Sequence, residues 1–216
     1  MIAPGGRGTQ TAVSGETALP ATERGMRTRA KLVKAARAEF ERNGYLETNI
    51  QDIARRAKVA YGTFYTYFAA KEEIFDEVVA ELVESHRAIA AAEPRTGNDP
   101  ASRIARANAG YLHAYRANAA MMAILEQVAS FNPRLAEIRR VARRFWVDRG
   151  TAAIAAWQAE GLVRADLDPY YAATALGSMV DRSAYVWYVL GEPFEEAEAI
   201  EQLTLLYCAA LGLDRK

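Results

Sequence analysis

The stretch whose reading decides the fold is TNIQDIARRAKVAYGTFYTYFAAK, residues 48–71. Thr48 stands three residues before Gln51, the spacing of a capping box, and Ile50, Ile53, Ala54 and Ala57 follow at helical intervals, so a short helix opens at Thr48. A tight turn over about residues 57–59 leads into a second short helix over about residues 60–68. Neither is long enough to be stable alone, so both must pack on a neighbour. The helix expected over about residues 28–43, with Leu32, Ala36 and Phe40 on one face and Gly44 as its C-terminal cap, supplies that neighbour. The arrangement is a helix-turn-helix.

Its second helix is small and polar-aromatic. Phe64 and Phe68 share a face and can dock into a core, which turns Tyr61, Thr63 and the remaining hydroxyls outward. Hydroxyls and the backbone N–H groups of a helix start suit phosphate oxygens, and Thr and Tyr can also meet base edges and thymine methyls in a major groove. Charge agrees with that use. The 216 residues have a formal net charge of zero, but residues 24–71 hold eleven Lys or Arg against four acids, a net of +7, while residues 72–216 carry a net of −6. A basic module joined to an acidic one points towards nucleic acid. Arg27, Arg29 and Lys58 are expected as electrostatic clamps, because each neutralised phosphate releases counterions.

With these residues in view, the block resembles the TetR family of transcriptional regulators. The likeness rests on Thr48, Ile53-Ala54, Ala57, Val59, Gly62-Thr63-Phe64-Tyr65, Tyr67-Phe68 and Lys71, and covers about residues 26–86. It implies that Thr48 caps its helix and touches phosphate, that Tyr61, Gly62 and Thr63 face the groove, that Tyr65 and Tyr67 meet the backbone, and that Lys71 reaches a phosphate. Two positions depart from the family pattern. Lys58 stands where glycine is usual in the turn and is expected in a strained backbone, and Ala60 stands where serine often caps the recognition helix, a loss of about 1 kcal/mol.

The rest of the chain is read as helical almost throughout, making an all-α protein: an N-terminal three-helix DNA-binding domain and a C-terminal helical ligand-binding and dimerisation domain. The expected organisation is a flexible tail over residues 1–22, the helix-turn-helix domain over 23–70, a connecting helix over 71–93 with Ile74, Val78, Leu82, Ser85 and Ile89 as its stripe, and the ligand-binding and dimerisation domain over 94–216. Prolines 133, 169 and 193 are each expected in the first turn of a helix, where a missing N–H costs nothing. The helices over about 169–190 and 194–212 are rich in apolar residues nearly all round and are expected to build a two-fold interface between copies.

An effector cavity in this part would be mostly apolar. Its candidates are Tyr111 and Tyr115, then Met121, Met122, Leu125 and Phe131, and, on later helices, Trp146, Met179 and Trp187, with His113 and Glu126 as polar groups. The run Arg139, Arg140, Arg143, Arg144 and Arg149 is best read as a solvated face; the alternative is contact with an anionic ligand such as an acyl thioester of coenzyme A. One cysteine and two isolated histidines leave little material for a metal centre, and no catalytic constellation is evident, so neither a cofactor nor an enzymatic activity is expected. Without a long apolar run, the chain is expected to be cytoplasmic and to avoid membranes. The resemblance therefore implies a dimeric repressor on a palindromic double-stranded DNA operator, released by a small apolar or amphipathic effector. The competing reading is a helical interaction protein without sequence-specific DNA binding.

Overall fold

The computed structural model describes residues 22–92 and 99–213, and among these it is helical with no strand. In chain order the helices are α1 Glu23–Glu47, α2 Ile50–Ala57, α3 Tyr61–Phe64, α4 Lys71–Ala92, α5 Pro100–Ala117, α6 Ala119–Ala129, α7 Pro133–Ala159, α8 Pro169–Tyr188 and α9 Glu196–Leu211. The tail expected over residues 1–22 lies outside the described residues except for Thr22. That residue caps α1, whose start is five residues earlier than the periodicity suggested, by accepting from the Gly25 N–H at 3.1 Å. Gly44 interrupts α1 with φ 75°, a left-handed conformation that glycine adopts without a Cβ penalty.

Several boundaries differ from expectation for identifiable reasons. Asn49, not Thr48, caps α2: its side chain accepts from the Asp52 N–H and donates back to the Asp52 carboxylate, so the reciprocal cap is one residue later than Thr48/Gln51. Regular α-helix in α3 ends at Phe64, and the chain continues to Phe68 in tighter turns held by Tyr67 N–H to Phe64 C=O and Phe68 N–H to Phe64 C=O. Asn132 and Asp168 cap α7 and α8 with proline at the first turn, as read, and Asp99 does the same before Pro100. Pro193 does not open a helix. Gly191 turns at φ 76° and the extended stretch runs on to Glu195, so α9 begins at Glu196. On α4 the inward stripe passes through Ile74, Val78, Leu82 and His86; Ser85 is exposed and bonds its own helix at the Leu82 carbonyl.

Packing links the parts. The largest cluster joins Leu32 and Phe40 of α1, Phe64 and Phe68 at α3, and Phe75 of α4 to Met121 of α6 and Leu135 of α7, so the head shares a core with the helices behind it. Each such fully buried side chain contributes about 1.5–3 kcal/mol. Two further clusters fill the body, one around Ile154, Trp157 and Leu211, the other around Leu112, Tyr115, Val180 and Leu203.

Candidate nucleic-acid interface and ligand cavity

Phe64 and Phe68 are fully buried and fix the orientation of α3. Tyr61 and Tyr65, one turn apart, stand on the opposite side at 49% and 46% exposure. Their hydroxyls are 2.9 Å apart and their rings meet edge to face at 5.4 Å, which makes them one rigid unit. The hydrogen bond with the Tyr61 hydroxyl raises the Tyr65 phenol. Gly62 and Thr66 are exposed beside them, and Thr63 and Tyr67 are half-buried, Tyr67 packing against the core. A shallow groove separates Tyr61 from the start of α2 and is floored by Asn49, Ile50 and Gln51. Thr66, Asn49 and Gln51 are thus surface groups of this face that the sequence reading did not single out; the period of α3 could have flagged Thr66.

Lys58 is exposed and lies at φ 57°, the left-handed backbone expected of it, while Ala60 begins α3 with no side-chain cap. Arg27 is exposed and pairs with Glu23 one turn back. Three expected DNA contacts are instead structural. Thr48 is 1% exposed and donates to the Gly44 carbonyl at 2.7 Å and the Glu39 carbonyl at 3.1 Å, bridging the kink in α1. Lys71 donates to the carbonyls of Tyr45, Leu46 and Thr48 at 2.8, 3.2 and 2.9 Å and sits 4.7 Å from the centre of the Tyr45 ring, so its ammonium group is fully engaged in closing the end of α1. Arg29 reaches Glu77 of α4 at 2.6 Å and covers the Phe68 ring. This bond raises the Arg29 guanidinium and lowers the Glu77 carboxyl. Arg24, Lys31, Lys34, Arg42, Arg55 and Arg56 complete the exposed basic surface of the head.

Behind the head, a cavity of about 250 Å³ lies between α4, α5, α6, α7 and α8, with Tyr207 of α9 at one end. Tyr111, Met122, Leu125 and Trp146 line it as expected. The other candidates do not. Met121 and Tyr115 are wholly buried in the core clusters, Met179 and Trp187 pack in the third cluster, and Phe131 is 55% exposed. His113 is on the surface and faces Glu196 at 3.1 Å, and Glu126 reaches the cavity only through its ion pair with Arg139. The arginine run divides: Arg139, Arg143 and Arg149 line the cavity, whereas Arg140 and Arg144 point to solvent. The lining positions 139, 142/143, 146/147, 149/150, 153/154 and 157 advance by threes and fours, a single helical stripe that the charges disguised. Tyr111 donates to Asp181 at 2.5 Å, and burial together with that carboxylate pushes its phenol well up.

Among the described residues no group of His, Cys, Asp and Glu is arranged to hold a metal, and no helix is long and apolar enough to cross a membrane. Residues 32–78 match the family model for bacterial regulatory proteins of the TetR family. The chain is 42% identical over 57 residues to the uncharacterised HTH-type transcriptional regulator YhgD of Bacillus subtilis, a match covering 26% of this chain and 30% of that one. It spans only about 30% of the length of the first curated relatives it matches. A longer match, 27% identical over 187 residues and covering 83% of this chain and 89% of the relative, is to the HTH-type transcriptional regulator TtgR of Pseudomonas putida. A solved transcriptional regulator of Rhodococcus sp. Rha1 superposes with a TM-score of 0.72 at 22% identity, over 87% of this chain and 99% of that one, which shows a shared fold. The matched residues are those of the helix-turn-helix and most of its basic face. Residues 32–78 thus carry the DNA-binding domain of the TetR family.

Proposed function

We propose that the protein is a ligand-responsive transcriptional repressor that binds a palindromic operator as a dimer and is released when a small apolar or amphipathic effector enters the cavity. The observation that carries this reading is the double duty of α4. Its first residue, Lys71, locks the head through three carbonyls, while Leu82, Val83, His86 and Arg87, further along the same helix, form one wall of the cavity. Asp76, on the turn between them, is tied to Arg134 of α7 at 2.9 Å. A ligand that binds one position of α4 better than another thereby biases where the head points.

In the proposed division of the chain, residues 23–70 read DNA, residues 71–93 connect, and residues 94–216 bind the effector and dimerise. Tyr61, Gly62, Thr63 and Tyr65 enter the major groove, and Tyr67, Arg27 and Lys58 serve the backbone. The pairing face is formed by α8 and α9, which leave Tyr170, Tyr171 and Leu206 exposed, Tyr171 at 72%. Ala199 and Leu203 belong to the protomer's own packing, so the outward side of α9 centres on Leu206. An acyl thioester of coenzyme A remains the alternative effector, and it would lean on Arg139, Arg143 and Arg149. The test is capture of genomic fragments by the full chain followed by footprinting. The expected footprint is an inverted repeat with half-sites about 34–36 Å apart, one dimer per site. Protection without sequence preference, or a monomer on a single half-site, overturns the proposal.

A further inference from the structure

The polar groups of the cavity are of a restricted kind. Five arginines line it, Arg87, Arg103, Arg139, Arg143 and Arg149, against one lining carboxylate, Asp181, with Arg139 also paired to Glu126. Asp181 already accepts from Tyr111. Arg143 is held by the Ser178 hydroxyl at 2.6 Å, and Arg87 and Arg103 lie over the faces of Phe145 and Trp157 rather than against an acid. Two neighbouring side chains on α4 carry buried nitrogens with no hydrogen-bond partner among the described residues: the Nε of Arg87 and the Nε2 of His86. Buried polar atoms left in this state are costly, so such a pair on a cavity wall marks a position that a ligand would complete.

The His86 ring also states what it needs. His86 is 7% exposed, and its Nδ1 lies 2.9 Å from the Leu82 carbonyl, a group that only accepts. Nδ1 therefore holds the proton, and in the neutral ring Nε2 is an acceptor. The remaining lining is apolar and aromatic, including Leu82, Ile104, Trp146, Trp157 and Val180. We propose that the cavity is selective for a small organic acid with an aromatic or aliphatic body and an N–H or O–H group. The acid's negative charge would be met by the arginines, with Arg87 making a direct bond, and its donor would go to His86 Nε2. This rests on the effector reading above and gives that effector its chemical class. At about 250 Å³ the space lies just under the 300–1,000 Å³ of ordinary ligand pockets, which favours such a compact acid over a bulky drug-sized body.

The test uses the full chain and matched probes: indole-3-acetate, its uncharged amide and its 1-methyl derivative, with phenylacetate/phenylacetamide and decanoate/decanamide as further acid–amide pairs. Binding is read by tryptophan fluorescence, since Trp146 and Trp157 line the cavity, and by calorimetry. At least one acid is expected to bind at least about tenfold more tightly than its amide, as for a hydrogen bond to a charged group, and indole-3-acetate several-fold more tightly than its 1-methyl derivative. Arg87→Met should remove the preference for acid over amide, and His86→Phe should remove the preference for the indole N–H. Amides binding as well as acids on every body, no acid binding at millimolar concentration, or an unchanged preference in Arg87→Met would overturn the proposal. Operator release is measured separately by mobility shift. Release by an amide and not by its acid sinks this inference and leaves the repressor reading standing, whereas acid binding without release does the reverse.

Discussion

The head and the cavity behind it treat their polar groups in opposite ways. Around the helix-turn-helix, Thr48, Lys71, Arg29, Asn49 and Arg56 each close on a partner, Arg56 reaching Glu39 at 2.5 Å across α1 and α2. Around the cavity, His86 and Arg87 keep buried polar atoms without a hydrogen bond among the described residues. The first pattern makes a rigid object whose outer face alone meets a partner. The second leaves bonding capacity on the cavity wall for the proposed effector. Under the proposed function, the difference teaches that rigidity is concentrated where DNA geometry would have to be held, and unmet bonding capacity where a small molecule would be chosen.

The comparison breaks most violently at Phe64. Phe64→Ala removes a wholly buried ring from the cluster shared by α1, α3 and α4 and should cost about 3–5 kcal/mol, seen as a lowered thermal midpoint together with lost duplex binding. Lys71→Met comes next, at about 2 kcal/mol, because it orphans the carbonyls at the end of α1. Its salt dependence of duplex affinity should stay as steep as in the parent chain, whereas Lys58→Ala should flatten the slope by about one counterion and leave the thermal midpoint nearly unchanged. If Lys71→Met flattens the slope instead, Lys71 belongs to the DNA face and the assignment of a closed head fails.

Arg29→Met sharpens the same contrast through pH. Glu77 is held below its ordinary value of 4.5 chiefly by the bond from Arg29, so its contribution is full above that value and disappears as pH falls through the lowered folded value. Parent and variant should therefore differ in thermal midpoint at pH 7 and converge as the pH is lowered through the folded value of Glu77. The smallest effect is expected at Lys58→Gly, which relieves a left-handed backbone at the cost of a floppier unfolded chain; a net gain of about 0.5 kcal/mol is expected in a denaturant titration.

Much of this was legible in the letters, and the failures share a cause. Local signals held: Asn132-Pro133 and Asp168-Pro169 open helices, Gly44 breaks α1, and Phe64 and Phe68 go inward while Tyr61 stays out. What failed depended on partners far along the chain. Nothing near Lys71 or Arg29 announces the carbonyls 23–26 residues earlier or the carboxylate of Glu77, so a basic side chain in a basic module reads as a phosphate contact. Thr48 and Asn49 are both good caps, and choosing between them needed the one-residue register that burial of Thr48 sets. At Pro193 the glycine two residues earlier turns the chain before the proline can start a helix. In the cavity, the stripe on α7 was present as a spacing but written in arginines, which periodicity rules weigh as solvent-facing, and His86 could have been found as the polar interruption of the otherwise apolar stripe on α4.

The central claim is that the paired tyrosines of α3 are the surface that reads a duplex. It is tested most directly by titrating the selected operator fragment, and an unrelated duplex of equal length, with the parent chain and with a Tyr61→Ala/Tyr65→Ala double variant, alongside thermal unfolding of both. The account predicts that the variant loses about 100-fold or more of its affinity for the operator and nearly all of its preference over the unrelated duplex, while its thermal midpoint moves by no more than a few degrees. Operator preference retained by a folded variant would contradict it.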